Sequence, residues 1–208
     1  MVRTTEHVIL LGLLLLSGMR PVSVVDPAYP PNVLAGGTVI ATLSVNKGSV
    51  EGVTIVSGDE PFAGSVMAAL KAWRFSPDVG ARIPVVVYFR TPNLITASPV
   101  AQMIDPPHGS RRDRTLAYPV KVVDPVYPPN ALGQGGAVVR LEIDQSGKVT
   151  RLDPLKSSED LARSFANAAR TWQFLPAEDG KGNPVPSEAL AVCVHRFPVL
   201  AAPPRAPR

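Results

Sequence analysis

Apolar and polar residues alternate along two separate parts of the chain. Between Val39 and Asn46, and again between Ala137 and Asp144, every second position is occupied by an apolar residue. A period of two residues is typical of a strand with one buried face. The stretches NKGS and DQSGK follow, and each brings a glycine and then further apolar residues. Each part of the chain is therefore predicted to open with a β-hairpin closed by a glycine turn.

The apolar period lengthens to that of a helix after each predicted hairpin. The two helical stripes are Phe62, Val66, Ala69, Leu70 and Trp73, and Leu161, Phe165, Ala168, Ala169 and Trp172. Pro77 and Pro176 prevent the helices from continuing. A last strand is predicted at about 84–90 and at about 189–197. Each part is thus expected to be a hairpin, a helix and a strand, with its tryptophan in the core.

The two parts are copies of one another. VDPAYPPNVL, which begins at Val25, returns as VDPVYPPNAL from Val123, and eight of the ten positions are identical. The match runs on to the strings WRFSP and WQFLP and shifts by one residue in the hairpin turn. Chance does not easily produce such an ordered match, so the sequence indicates a duplication.

The repeat suggests two small domains. Repeat one is assigned to residues 25–92 and repeat two to residues 122–199, with a proline-rich linker at 93–121 and an extended tail at 200–208. We expect an α+β fold with two tandem domains, each a helix packed on a small antiparallel sheet. Limited proteolysis is then expected to cut in the linker and to leave two protected fragments.

The N-terminal segment, residues 1–24, resembles a secretory signal. A cation at Arg3 precedes an apolar run from Val8 to Leu16, and small residues follow. The run is about half of the roughly 20 residues that span a membrane. We therefore expect export to the periplasm. Retention at the inner membrane is the alternative if the segment is not cleaved.

Composition and motifs do not favour catalysis. The net charge of +4 comes partly from cations at 111–114 and in the tail, and the aromatic residues fall on apolar faces, so nucleic acid is not expected as a partner. The three histidines have no metal-ligand spacing. Cys193 and His195 share a strand face without reaching hydrogen-bond distance, so each is expected simply to pack. No enzyme activity, cofactor, metal site or small-molecule substrate is predicted.

The ordered pattern YPPNAL, glycine, alternating strand, D-x-x-G-K-V, apolar helix and W-x-F-x-P resembles the TonB C-terminal domain. Repeat two matches it better than repeat one, which has NKGSV in the turn. The resemblance implies a periplasmic module that contacts other proteins without catalysis. Proteins of this family engage a short extended segment of an outer-membrane transporter beside a sheet edge, where unpaired backbone groups accept another strand.

By this resemblance, the partner-binding residues would be Tyr29, Pro30, Tyr127, Pro128, Val192, Val194 and Arg196. The two Tyr-Pro pairs stand at the family's Tyr-Pro position, and the last strands, 85–89 and 192–196, would be the receiving edges. The residues alone leave two interpretations of each tyrosine open. Its ring either seals the core or lies at the surface, because proline stiffens the segment in both cases.

Two functions remain in view. The first is a TonB-like module that binds an envelope or outer-membrane protein by strand addition and is linked to TonB-dependent transport. The chain has no long Lys/Glu-rich proline spacer, which makes energy transduction doubtful. The second is a periplasmic scaffold or assembly protein whose two TonB-like domains pair with each other. Self-association into a homo-oligomer fits either function.

Overall fold

The computed structural model describes residues 19–90, 100–107, 112–126, 135–156 and 159–196. The elements of repeat one are β1 (Pro21–Ser23), β2 (Gly37–Asn46), β3 (Ser49–Ser57), α1 (Phe62–Lys71), β4 (Arg74–Phe75) and β5 (Ala81–Phe89). A short strand, β6 (Ala101–Met103), follows. The elements of repeat two are β7 (Tyr118–Val123), β8 (Gly135–Ile143), β9 (Val149–Lys156), α2 (Glu159–Ala169), β10 (Gln173–Leu175), β11 (Ala177–Glu178), β12 (Pro184–Val185) and β13 (Ser187–His195).

The predicted hairpins are present as β2–β3 and β8–β9, and each turns at a glycine with a positive φ angle. Gly48 has φ of 75° and Gly147 has φ of 80°. The glycines also lie against the strand that follows the helix, because the amide of Phe75 donates to the carbonyl of Gly48 at 2.8 Å and that of Phe174 donates to Gly147 at 2.9 Å. A Cβ atom at either glycine would lie less than 2.5 Å from the carbonyl oxygen of that phenylalanine. Each turn therefore needs glycine because its φ angle is positive and because a carbonyl oxygen occupies the place of a side chain.

Both predicted helices pack on the sheet through the apolar stripes read from the sequence. Trp73 and Trp172, which lie two and three residues beyond the ends of α1 and α2, are fully buried, with at most 1% of their surface exposed. Each indole also donates a hydrogen bond to the backbone of the segment that opens its own repeat: Trp73 to the carbonyl of Val25 at 2.8 Å and Trp172 to that of Val123 at 3.1 Å. The core assignment of the two tryptophans is confirmed.

The two repeats share one sheet. Its eight strands run in the order β1-β4-β3-β2-β5-β13-β8-β9, and a second sheet has the order β10-β7-β6. The join is the pairing of β5 with β13, which is parallel and in register from Val85 opposite Leu190 to Phe89 opposite Val194. Within each repeat the last strand pairs antiparallel with the first hairpin strand, β5 with β2 and β13 with β8.

The helices lie on opposite faces of this sheet. One core combines α1 and its tryptophan with residues of β5 and also with Val138, Leu190, Val192 and Val194 of repeat two. The other core combines Phe165 and Trp172 with β8, with β13 and with two residues of repeat one. Those two residues are Val86 and Tyr88 of β5. Each repeat therefore completes the core of the other, and the two are related by an approximate two-fold rotation about an axis parallel to the central strands.

This architecture corrects three expectations. The repeats do not form separate domains, because β5 and β13 are interior strands of a single sheet. Nor is 93–121 a simple linker, since β6 lies within it and pairs with β7, which begins there at Tyr118, and Asp113 forms an ion pair with Arg82 of β5. Repeat one also begins earlier than 25, because β1 pairs with β4 just as β7 pairs with β10.

Candidate protein-interaction surface

The Tyr-Pro segment of repeat one packs onto the first core. The Tyr29 ring meets those of Phe62 and Phe89 edge to face, with centroid separations of 6.0 and 5.7 Å. Its hydroxyl donates to the carbonyl of Ala35 at 2.6 Å, and Pro30 is buried. Of the two interpretations of the tyrosine, this packing supports the one in which its ring seals the core. A binding role for Tyr29 and Pro30 stays a prediction.

An arginine from the other repeat holds this segment. Arg196, which directly follows β13, places its guanidinium carbon 5.4 Å from the centroid of the Tyr29 ring. It also donates a hydrogen bond to the carbonyl of Pro30 at 3.2 Å. Burial raises the pKa of the Tyr29 hydroxyl, and the charge of Arg196 acts in the opposite direction. The distance between the guanidinium and the ring is within the range of a cation–π interaction.

Repeat two has a counterpart of this contact. Arg90 directly follows β5 and is buried, its Nε donates to the carbonyl of Pro125 at 3.2 Å, and it lies 3.5 Å from a carboxylate oxygen of Asp124. The motif that opens each repeat is thus contacted by the arginine that follows the last strand of the other repeat. Tyr127 and Pro128, the predicted partner-binding pair of repeat two, lie outside the described residues.

Val192 and Val194 are buried in the centre of the sheet, with 0% and 3% of their surfaces exposed. The backbone of β13 pairs with β5 on one side and with β8 on the other. The prediction that 85–89 and 192–196 are receiving edges is therefore wrong, because these two strands pair with each other. The structure nevertheless brings Val192 and Val194 into the same core as Tyr29, and Arg196 onto the surface of that ring.

Cys193 is a buried free cysteine, and its burial disfavours the thiolate form. Burial raises the pKa of its thiol to about 12, with the negative charge of Asp124 acting in the same direction. A thiol with this pKa stays protonated at neutral pH, and the thiol form is a poor nucleophile. The described residues contain no group of three or more His, Cys, Asp or Glu side chains arranged to hold a metal ion.

The backbone edges of the sheet lie on the outer hairpin strands. Strand β9 ends the sheet beyond β8. Among the described residues, the pairing on the outer side of β9 is limited to an isolated bridge between Lys148, which precedes the strand, and Gln173. Strand β3 pairs with β4 only through Ser49 and Arg74, so most of its outer side is also without a neighbouring strand among the described residues. Sequence reasoning missed these edges because it assumed that the last strand of each repeat ends the sheet.

A signal for the correct arrangement was present in the sequence. The runs PVVVYF in β5 and ALAVCV in β13 are apolar at consecutive positions. Consecutive apolar residues are typical of strands with both faces covered, whereas an exposed antiparallel face gives alternation. These two strands were therefore candidates for the centre of a larger sheet.

One comparison with known proteins concerns repeat two. Residues 123–194 match the family model described as the C-terminal region of the Gram-negative bacterial TonB protein. The match covers β8, β9, α2 and nearly all of β13. No curated protein matches the chain. No helix among the described residues has the length and apolar character needed to cross a membrane.

Proposed function

We propose that this chain is a non-enzymatic protein-binding scaffold of the Gram-negative envelope, exported to the periplasm, whose two TonB-like repeats complete each other. The match of residues 123–194 to the TonB C-terminal family supports a role in protein interaction. The apolar N-terminal segment supports export. Within this proposal, repeat one is a second, divergent copy of the same fold.

The observation that carries the proposal is the parallel pairing of β5 with β13. Strand addition joins an incoming segment to an edge whose backbone groups are unpaired. Here each last strand already has a neighbour on both sides. The residues at the join are buried on both faces, from Val85 to Phe89 and from Leu190 to Val194. The position at which a transporter segment would add is filled by the other repeat.

Energy transduction through the last strands is correspondingly disfavoured. A transporter segment could pair with β13 only after β5 had left it, and this separation would expose apolar side chains of both cores. Exposing buried apolar surface costs roughly 25 cal/mol for each Å². A short peptide has little capacity to compensate for such a loss. The partners of the scaffold therefore bind elsewhere on its surface.

A disulfide between the two central strands tests the proposal. Ala191 lies opposite Val86 in the register, so Ala191→Cys with Val86→Cys, in a Cys193→Ala background, places two thiols across the join. The oxidised protein is used beside its reduced form to capture partners from an envelope extract. Partners identified with the reduced form should also bind the oxidised form, because the scaffold does not need to open.

The alternative gives a different result. If a purified partner binds only the reduced protein and alters amide exchange at residues 190–196, strand addition at the last strand is correct and the closed scaffold is wrong. The Cys193→Ala protein without the added cysteines is the control for the background substitution. Fractionation of cells that produce the full chain tests export, and recovery from the cytoplasm alone would contradict a periplasmic scaffold.

A further inference from the structure

Strand β1 provides a further unpaired edge of the large sheet, at the end opposite β9. It pairs with β4 on one side, and no strand among the described residues pairs with its other side. Its counterpart in repeat two, β7, pairs with β10 on one side and with β6 on the other. Repeat two thus fills an edge that repeat one leaves open.

The two opening strands have nearly the same sequence. PVSVVDP, which begins at Pro21, returns as PVKVVDP from Pro119, and six of the seven positions are identical. This match is continuous with the one that begins at Val25, so residues 22–26 correspond one to one to residues 120–124. The filled edge of β7 is therefore a direct guide to the open edge of β1.

Strand β6 shows which backbone groups of β7 bind a neighbouring strand. The amide of Ile104 donates to the carbonyl of Val120 at 2.9 Å, and the amide of Asp124 donates to the carbonyl of Val100 at 2.9 Å. Hydrogen-bonded pairs alternate along an antiparallel ladder, so Val122, midway between the two, is the third residue that bonds to β6. These contacts extend the pairing over five residues of each strand.

The corresponding residues of β1 are Val22, Val24 and Asp26. Strand β1 pairs with β4 through Pro21 and Ser23. Because backbone groups of successive residues point to opposite sides of a strand, those of the other three residues face away from β4. The open edge therefore presents the same ladder of donors and acceptors that β6 occupies in repeat two.

The side chains along the open edge are more exposed than their counterparts. Val22 exposes 70% of its surface, whereas Val120 is half-buried. Val24 is half-buried, whereas Val122 is fully buried. Apolar side chains beside unpaired backbone are typical of a surface that another chain covers.

The composition of β6 and the charges near β1 indicate what kind of strand fits. Residues 100–104 have the sequence VAQMI, which carries no charge. Within residues 22–26 of the open edge, the one charged side chain is that of Asp26, and it is paired with Lys156 at 2.9 Å. Neither edge therefore requires a charged neighbour.

We propose that the open edge of β1 receives an extended, uncharged and largely apolar segment of a partner protein, in antiparallel register. The inference rests on the proposed scaffold function and gives it a binding edge. The backbones of residues 22, 24 and 26 bond to the partner as those of residues 120, 122 and 124 bond to β6. The scaffold stays closed in this complex, because β5 and β13 keep each other as neighbours.

The test uses the protein recovered from cells that express the full chain. The probe is a capped, fluorescein-labelled peptide, PVAQMI, which has the sequence of residues 99–104. We expect saturable binding of this peptide. Amide signals of residues 22–26 should shift when it binds, whereas those of residues 120–124 should not, because β6 already holds that edge.

Two N-methylated peptides are matched ligands. Gln102 lies opposite Val122 and its amide faces β7, whereas the amide of Met103 faces the other side of β6. A methyl group on the glutamine amide of the probe should therefore weaken binding by at least about tenfold. The same group on the methionine amide should weaken it by less than about threefold.

A pair of variants tests the same contact from the side of the protein. Val22→Pro removes one outward amide and leaves the core filled, since this side chain is largely exposed. It should weaken binding of the unmodified peptide by about tenfold. Val22→Thr keeps the amide and the branched side chain, so it should change the affinity by less than about twofold. Thermal unfolding shows whether each variant is folded, and the methylated peptides decide the question with the wild type if Val22→Pro is not.

Four results would overturn the proposal. The first is equal affinity for the two methylated peptides, and the second is a shift at residues 120–124 in place of 22–26, which would mean that the peptide displaces β6. The third is dimerisation through β1 without peptide binding, and the fourth is an exported protein whose mass shows that residues 21–26 have been removed. If the peptide fails in any of these ways while the disulfide-locked protein still captures an identified envelope partner, the binding edge is wrong and the scaffold stands.

Discussion

The two repeats share their internal contacts. They differ in what covers the second face of each hairpin, which is the face turned away from the repeat's own helix. In both repeats, the tryptophan after the helix donates a hydrogen bond to a backbone carbonyl of the opening segment. A serine that lies two helical turns earlier donates a second hydrogen bond to the same segment. The serine contacts are Ser65 to the carbonyl of Ala28 and Ser164 to that of Val126. These contacts use the backbone carbonyls of the opening segment, so they do not depend on the identity of its side chains.

The second face shows that difference. In repeat one, Thr42 and Thr54 face the segment 112–118, which lies across them. At the equivalent positions repeat two has Arg140 and Asp153, which form an ion pair. Glu188 is 3.3 Å from the same guanidinium. One fold is thus completed by a covering segment of chain in one copy and by a charged cluster in the other.

The largest expected effect tests the shared part of the comparison. Trp73→Ala and Trp172→Ala should each lower the free energy of unfolding by about 3–5 kcal/mol, because each removes a fully buried ring. Since the cores share strands, either variant should unfold in one transition. Urea unfolding followed by the fluorescence of the remaining tryptophan measures this directly. Trp172 in the Trp73→Ala variant should lose its native signal together with the circular dichroism.

The fluorescence of the remaining tryptophan can also contradict the prediction of a single transition. If Trp172 in that variant keeps the midpoint of the wild type while repeat one unfolds at lower urea, the repeats fold separately. Trp73→Phe and Trp172→Phe are the matched controls, because they keep an aromatic ring and lose the indole hydrogen bond.

A smaller effect tests the difference between the second faces. Arg140→Ala should destabilise the protein by about 3 kcal/mol, because it leaves two carboxylates of the cluster without their shared cation. Thr42→Ala, at the equivalent position, should cost less than about 1 kcal/mol. Chemical unfolding at neutral pH compares the two. Equal losses would mean that the charged cluster contributes no more than a threonine in the same place.

The smallest expected effect concerns the aspartates that open the repeats. Burial raises the pKa of Asp124, and the charge of Arg90 opposes that rise. A carboxyl with a raised folded-state pKa contributes its full stability below its unfolded pKa of about 3.9 and loses that contribution as pH rises through the folded value. Asp124→Asn should therefore become more stable relative to the wild type as pH rises from acid to neutral.

Thermal unfolding of both proteins across this pH range measures the difference. Asp26→Asn, at the equivalent position of repeat one, is the matched control, because Asp26 pairs with exposed Lys156. If the difference between Asp124→Asn and the wild type does not change with pH, or falls as pH rises, the assigned direction of the Asp124 pKa is wrong.

The sequence predicted local structure well because the relevant information is local. Alternation located the hairpins, helical spacing located the stripes that end at Trp73 and Trp172, and the glycines located the turns. The pairing of β5 with β13 was not predicted, because a period of two residues identifies a strand but not its neighbour. The run of consecutive apolar residues in each of these two strands indicated that both are interior strands.

The candidate surface was predicted less well for the same reason. Tyr29 and Arg196 are distant in the chain, and only the parallel join brings them together. The outer edge of the sheet at β9 likewise follows from strand order, which the sequence alone did not supply.

The parallel join has a consequence for how the chain matures during synthesis. Val85 precedes its partner Leu190 by 105 positions, so β5 leaves the ribosome long before β13 exists. Until then one long side of an apolar strand has no neighbour, and unpaired strand edges in immature chains are prone to aggregation. Pairing between such distant segments is also slow to form. The nascent chain thus has an interval in which a holding chaperone would protect it, and that interval closes only when its last strand arrives.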